Sequence, residues 1–451
     1  MIKMKLTILT LCLLLSVGGN AQQLLSLQQS RQMALDYNKS LQSANLRWQE
    51  AQSQQKEART AYLPNIDGSA TATYMPGMDN IDIPGFHLPT ADPNGTITGE
   101  SNVYFPGMSL ETEDLTIYQA QVGMEIPIYA GGQIRYANKM ADKGVEMAGQ
   151  AYQLESDQVI FNTDQAYWRL VAFKENLVVA RKYVEMLDSL EAQLKDMYNL
   201  GLTPKSEQLK VTVQKNQAQL NLLRAENGFK ILKMNLCQLI GLDLQTTIEV
   251  SDQLNGRPEL PVMAEDIQLA MGNRNELKML SGQVAIADYQ RKSISGAYMP
   301  SLGAQVSYGY NEVANLMDGQ WNTTAAAQLS IPLVHWREKK HKVNVAKLQK
   351  QQAELKLEES KEFIQLEVQQ YMIQVREAYE AILLAQKSKI EAEESLEEVT
   401  ASFEVGLNTT TDLLNAQAAW QNAHASLLEA LATFEISKTA YYKGIGELAH
   451  E

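Results

Sequence analysis

Residues 118 to 128 alternate without a fault. Tyr118, Ala120, Val122, Met124, Ile126 and Ile128 hold the even positions, and Gln119, Gln121, Gly123, Glu125 and Pro127 the odd ones. A period of two gives a strand with one apolar and one wet face. Directly after Ala130-Gly131-Gly132 the pattern turns helical and stays so to about Leu200. Later, Val334 to Val405 runs for 72 residues without glycine or proline. A helix of that length measures on the order of 100 Å, whereas helices of compact domains average three or four turns. The fold must therefore join two-faced strands to rods too long for an ordinary globular core.

That junction occurs twice. Ile126-Pro127-Ile128 recurs as Ile331-Pro332-Leu333, an offset of 331 − 126 = 205. The same offset carries Gly201-Leu202 onto Gly406-Leu407 and Ile240-Gly241 onto Ile445-Gly446. Upstream, Ala61-Tyr62-Leu63-Pro64 matches Ala297-Tyr298-Met299-Pro300, an offset of 297 − 61 = 236. The difference, 236 − 205 = 31, places about that many extra residues between Pro64 and Pro127. A repeat this long is a duplicated half rather than a solenoid unit. The expected division is a first half over 22–241, a link over 242–262 and a second half over 263–451.

Residues 1–21 carry Lys3 and Lys5, an apolar core from Leu6 to Leu15, and Gly19-Asn20-Ala21. This is the pattern of a secretory signal peptide, and the core is too short to span a bilayer. Cys12 lies inside that core, so the mature chain keeps Cys237 alone and no internal disulfide. Without Lys3 and Lys5 the formal charge of −14 becomes −14 − 2 = −16. No basic cluster interleaved with aromatics stands out, so nucleic acid is not an expected partner. No later run of 18 apolar residues exists, so an exported chain is either soluble or crosses a membrane as strands.

In chain order, one helix is expected from Leu24 to Thr60, stopped by Pro64, then a strand over 66–75. A long loop over 76–114 is rich in turn formers such as Pro84-Gly85, Asp92-Pro93-Asn94-Gly95 and Pro106-Gly107. Its carboxylates Glu111, Glu113 and Asp114 read as a solvated loop in preference to a cation site. Helices are expected over 133–200 and from Pro204, in its first turn, to about Ile240. Leu209, Val213, Leu220, Leu223, Ile231, Leu236 and Leu239 form the apolar side of the second. A short strand over 247–250 and a helix over 264–295 follow. Strands over 302–310 and 321–331 flank a loop at 311–320, before helices over 334–405 and 409–443.

Four strands of about ten residues match the height of a membrane β-strand. Hydrocarbon tolerates no unpaired strand edge, and the smallest known barrels need about eight strands. The barrel must therefore be shared, two copies giving eight strands and three giving twelve. The wet face carries Gln119, Gln121, Glu125, Gln305 and Gln328 with small residues between, which suits a water-filled lumen and so favours three copies. The expected fold is mostly α with a membrane β part: a long antiparallel α-helical barrel continuous with a shared β-barrel of four strands per chain. A soluble β-sandwich edge with a helical bundle is the competing architecture, and it leaves the helix lengths unexplained.

Ala61-Tyr62-Leu63-Pro64 before the first strand, Ile126 through Gly132 after the second, and the Gly-Leu pairs at the two helix turns resemble the TolC family of outer-membrane efflux ducts over essentially the whole mature chain. The resemblance implies a homotrimer in the outer membrane of a Gram-negative cell, with the helical tunnel in the periplasm closed at its inner end. It also implies docking to a periplasmic adaptor (a membrane fusion protein) and to an inner-membrane pump or secretion ATPase. The leading expectation is the passive exit duct of a tripartite efflux system. A type I protein-secretion duct is the alternative within that class, and a periplasmic coiled-coil scaffold or adaptor the alternative outside it.

No metalloprotease, redox, phosphate-loop or nucleophile-elbow motif occurs, so neither enzyme activity nor a metal or cofactor is expected. Function falls instead on the helix turns at 198–210 and 403–415. Gly201, Leu202, Thr203, Gly406 and Leu407 form the tips expected to meet the adaptor, and Ser206, Glu207, Thr411 and Asp412 are candidate caps or gate groups. By the resemblance, Phe403 occupies the place of a gate tyrosine, Asn408 that of an arginine, Asp412 that of a first lumen-facing aspartate and Asn415 that of a second. Phe403 lacks the hydroxyl and Asn408 the charge, so closure should rest on packing and neutral hydrogen bonds, with Asp412 the main remaining gate charge.

Overall fold

The computed structural model describes residues 23–76, 81–110, 114–254, 258–263, 266–314 and 317–448. The expected signal peptide, Glu111 and Glu113 lie outside them. The elements run β1 (Gln23–Leu25), α1 (Leu27–Tyr37), α2 (Lys39–Thr60), β2 (Asn65–Met75), β3 (Ile81–Ile83), β4 (Phe86–Ala91), β5 (Ile97–Phe105), β6 (Met108–Leu110) and β7 (Leu115–Ala130). They continue with α3 (Gln133–Asn199), α4 (Lys205–Leu239), β8 (Ile248–Val250), α5 (Asp266–Asn273), α6 (Asn275–Gly296), β9 (Ser301–Val313), β10 (Met317–Ser330), α7 (Glu338–Glu404) and α8 (Thr410–Ile445). Two compact units result. A strand unit comprises 54–142 and 286–350, and a helical unit comprises the described residues up to Ser53 with 143–285 and 351–448.

In the strand unit one antiparallel sheet has the order β10-β9-β7-β2. Its register aligns the alternations, pairing Val122 with Tyr308 and Gly68, and Gln121 with Gly309 and Ser69. One sheet face is thus Tyr74, Val122, Tyr308, Trp321 and Leu329, all exposed, and the other carries glutamine, serine and threonine together with the carboxylates Asp67 and Glu125. Pro127 cannot donate to a ladder, and the register slips between Pro127 and Tyr129 to accommodate it. The strands are longer than expected. The 311–320 loop shrinks because β9 continues to Val313 and β10 begins at Met317.

The 76–114 segment departs from the expected loop. β3 pairs with β6 and β4 with β5, forming one interrupted hairpin. The two Pro-Gly pairs face each other across the interruption, where a Cβ on Gly107 would lie 2.8 Å from the Gly85 nitrogen. Asp92 closes the tip by accepting from the Asn94 and Thr96 backbone amides, both at 2.9 Å. Turn residues here punctuate strands that are stabilised only by their cross-strand partners, such as the stacked Phe86 and Phe105 rings.

The two strand-to-helix junctions use one backbone shape with different residues. Gly131 and Gly132 adopt φ of 61° and 83°. Their counterparts 205 positions on, Trp336 and Arg337, adopt 40° and 67°. Two successive left-handed residues delay the helix, so α7 begins at Glu338 and not at Val334 as the missing glycines suggest. The two longest helices, α3 and α7, have 67 residues each.

In the helical unit, the expected single helix over 24–60 is two helices preceded by a strand. Gln23–Leu25 pairs in parallel with Ile248–Val250. The Tyr167 hydroxyl fixes this pair by placing its one proton between two acceptors, the Leu25 carbonyl at 2.9 Å and the Asp252 carboxylate at 2.7 Å. Ser26 then caps α1 in a capping box with Gln29. Asn38 breaks the rod because its side chain accepts from the Ser40 amide at 2.9 Å and donates to the Leu239 carbonyl at 3.3 Å. The expected helix over 264–295 breaks at Arg274, 236 positions after Asn38. There the guanidinium donates to the Gly444 carbonyl at 3.0 Å and to Glu367 at 2.7 Å. At each point tertiary partners for one polar side chain outweigh the continuity of the helix, which restarts one residue later. The core gathers Tyr167, Leu170, Leu236, Ile248, Ile382, Phe434, Tyr441 and Ile445. A bidentate ion pair between Arg31 and the fully buried Asp164 runs along it, at 2.8 and 2.6 Å.

Candidate functional site

The two helix turns are built alike. The first is Leu200 to Pro204 and the second Val405 to Thr409. Gly201 and Gly406 sit at φ of 76° and 79°, which a side chain would strain. Gly201 N–H donates to the Tyr198 carbonyl at 2.9 Å and Leu202 N–H to that of Met197 at 2.8 Å. Gly406 and Leu407 repeat this against Phe403 and Ser402 at 3.0 and 2.9 Å. Each is a Schellman closure, satisfying the last carbonyls of a long helix so that the chain can reverse. Leu202 and Leu407 are left 69% and 79% exposed at the tips.

The starts of the following helices differ. Thr409 is the N-cap of α8 in a capping box with Asp412. Asp412 N–H donates to Thr409 Oγ1 at 3.2 Å, and the Asp412 carboxylate accepts from Thr409 N–H at 2.9 Å and from its hydroxyl at 2.6 Å. These bonds hold the Asp412 carboxyl below the usual aspartate range. Thr411, the other expected cap, lies two residues inside the helix, past the N-cap position. At the first turn Pro204 is itself the N-cap of α4, with no side-chain hydrogen bond. Proline therefore stands just before the helix and not in its first turn, and Ser206 and Glu207 do not cap. Glu207 instead holds Lys210 at 2.7 Å. That lysine, and secondarily a hydrogen bond with Thr410, lowers its pKa.

The site residues fall into three places. Phe403 packs on the cluster of Tyr183, Leu187, Leu190, Leu194, Val211 and Leu413 that closes this end of the helical unit. Asn408 is half-buried within the second turn, its N–H 3.4 Å from the Ser402 carbonyl, and Thr203 is half-buried in the first. Ser206 and Asn415 come together in an open groove of about 610 Å³ between α4 and α8, with Leu209, Val213, Gln214 and Leu414. The groove is what sequence reasoning missed. The sequence pattern puts Leu209 and Val213 on the apolar side of α4, yet with Leu223 and Ile231 they are more than half exposed. The face that α4 buries within the chain is Val211, Ala218, Leu236 and Cys237. A second, unsatisfied apolar stripe is the signal that was present. Among the described residues, no group of three His, Cys, Asp or Glu could hold a metal ion, and no helix is long and apolar enough to cross a membrane.

The outer membrane efflux protein family matches residues 30–242 and 267–447. The chain belongs to that family. As an outer membrane efflux protein it is a channel of the cell outer membrane. It is 21% identical to outer membrane protein TolC of Vibrio cholerae over 322 residues, which is 69% of this chain and 73% of that protein. Its fold is that of the CmeC outer membrane channel of Campylobacter jejuni, with a TM-score of 0.76 at 19% identity over 94% of this chain and 86% of that one. It is also that of VceC, an outer membrane protein of Vibrio cholerae, with a TM-score of 0.74 at 16% identity over 93% and 96%. In this outer membrane efflux protein, the groove begins where the two Gly-Leu turns lead into α4 and α8, and Leu202 and Leu407 stand exposed at the turns.

Proposed function

We propose that three copies share a twelve-stranded barrel in the outer membrane and prolong it as a helical tunnel, serving as the passive exit duct of a tripartite efflux system. The observation that carries this reading is the sheet itself. Four strands of 11 to 16 residues present an apolar face, yet end at β2 and β10 with the sheet open. In hydrocarbon each orphan amide along those ends costs several kcal/mol, so only other copies can close the sheet. The exposed stripe Leu209, Val213, Leu223 and Ile231 supports the same reading, since burying it needs a neighbouring helix from outside the chain. Cargo then passes along a wet wall of glutamine, serine and threonine that selects little, and selection rests with the pump.

At the inner mouth, Gly201, Leu202, Thr203, Gly406 and Leu407 are the contacts offered to the helical hairpin of a periplasmic adaptor. Asp412 supplies one carboxylate per copy, a ring of three around a threefold axis that attracts cations. Phe403, Asn408, Asn415, Ser206 and Glu207 hold the closed state through packing and hydrogen bonds. The two halves, 22–241 and 263–451, contribute one hairpin each. Outer-membrane fractions run on detergent gels with and without heating test the assembly. A heat-dissociable trimer is expected, and a water-soluble monomer would overturn the reading.

A further inference from the structure

A second groove of the helical unit lies away from the turns. It is about 500 Å³ in volume and runs between α3, α7 and α8, with Leu254 of the inter-repeat link at its edge. That volume falls within the range of about 300–1,000 Å³ that small-molecule sites occupy. Val178 and Ile390 line it and are 54% and 55% exposed, so its apolar rim is left open. Val179, Leu254 and Leu431 beneath them are buried and make an apolar floor.

The polar side chains of the groove are sorted along it. Trp420 and His424 stack with ring centroids 4.3 Å apart. Lys182 and Lys389 both act on His424, whose pKa is depressed first by burial, then by the Lys389 ammonium, with Lys182 adding to it. Glu393 opposes that effect from 2.9 Å, and the imidazole is left uncharged at neutral pH. Among the described residues, Lys182 makes no ion pair or hydrogen bond, and Lys389 meets only Glu393, at 3.7 Å and one turn along its own helix. This end therefore carries two ammoniums against one carboxylate. Glu175, the other acid of the groove, stands 182 − 175 = 7 residues back along α3, about 10 Å away.

We infer that this groove binds a compact amphiphilic monoanion, an aryl carboxylate or sulfonate, with its ring against Val178, Ile390 and Trp420 and its charge between Lys182 and Lys389. Each alternative chemistry leaves a group unmatched. A neutral apolar molecule leaves Lys182 unpaired beneath it, and a cation meets two like charges beside the indole. A dianion charged at both ends brings its second charge toward Glu175. The site goes beyond the duct reading, because it is complete within one chain and shares no residue with the two turns or the groove between α4 and α8.

Benzoylbenzoate, a photoreactive aryl carboxylate, tests this on the full chain in outer-membrane fractions. After irradiation and digestion, mass spectrometry should find the label on peptides that carry Val178, Ile390 or Leu427. Naphthoate should compete for it, whereas naphthylmethylammonium and naphthalenedicarboxylate should compete far less. Lys182→Gln combined with Lys389→Gln changes only rim charges and should weaken labelling about tenfold or more, the worth of a charge-assisted hydrogen bond. Val178→Trp fills the groove from its open side and should abolish labelling. Benzophenone, which lacks the carboxylate, reports apolar capture alone, and the lysine substitutions should leave its labelling unchanged. Carboxylate labelling that survives the lysine pair or Val178→Trp, or that falls on other peptides or on none, would overturn the site. Equal competition by the ammonium compound would overturn the choice of an anion. Heat-dissociable trimer on gels reads assembly separately, so a monomeric chain would remove the shared barrel and leave this result standing.

Discussion

Replacing Gly131 by alanine tests the junction between strand and helix most directly. The backbone there has φ of 61°, where a Cβ crowds the following carbonyl at a cost of roughly 1–2 kcal/mol. The new methyl carbon would also stand 2.0 Å from the Gly296 oxygen, 2.9 Å from its carbonyl carbon and 3.2 Å from Met299 Cβ. Relief requires β7 and the end of α6 to part by about 1 Å, an overpacking strain of about 1–3 kcal/mol. The two contributions together come to roughly 2–5 kcal/mol. Trp336→Gly is the mirror experiment. It relieves roughly 1–2 kcal/mol of left-handed strain and gives back about 0.5–1 kcal/mol in unfolded-chain entropy. The indole is 91% exposed, so its loss costs little packing. Thermal unfolding of the detergent-purified protein by circular dichroism reads both. Gly131→Ala should melt well below wild type, and Trp336→Gly should melt at or slightly above it. An unchanged melting temperature for Gly131→Ala would refute the steric argument and the equivalence of the two junctions.

Val122→Arg places a charge at the middle of the apolar face of β7. It should cost about 2–4 kcal/mol at the bilayer midplane, and the yield of outer-membrane oligomer on gels should fall, an unchanged yield contradicting the lipid assignment. Asp412→Asn keeps an acceptor for the Thr409 cap and removes only the charge. In planar bilayers its conductance should lose sensitivity to divalent cations, and retained block would move the gate charge elsewhere. Burial, reinforced by Glu276, pushes the Asp157 carboxyl up from 3.8 to about 6. The folded state therefore holds the proton more tightly, and this group's contribution to stability falls as pH rises from about 4 through 6. Asp157→Asn should raise the melting temperature relative to wild type at pH 7 and lose that advantage at pH 4, and an advantage independent of pH would exclude Asp157 as its source.

The residues that wrote themselves into the sequence were those governed by local geometry. Alternation from Tyr118 to Ile128 fixes a two-faced strand because side chains in a strand have a period of two. Gly201 and Gly406 mark the reversals because φ near 76° and 79° demands glycine. The offsets 205 and 236 were legible for the same reason, since a duplicated fold repeats its local constraints. What failed was whatever depended on distant partners. Asn38 and Arg274 look helix-compatible until the Leu239 and Gly444 carbonyls are brought to them. The strands within 81–110 resemble turn-rich loop until they pair with each other. Trp336 and Arg337 give no warning that they adopt the backbone of two glycines. At the candidate site the turns were visible but not the division of labour. Asp412 rather than Glu207 serves a cap because Thr409 stands where the first turn has Pro204.

The sequence alone determined the long helices, the four strands of the main sheet, the duplication and the two-faced character of that sheet, because each is set within a few residues of chain. Tertiary structure decided where the rods break, which of two apolar stripes on α4 is buried inside the chain, and how the strands register. Those outcomes depend on buried polar groups and backbone amides finding partners from tens of residues to 201 residues away, and no local pattern encodes such a partner's position.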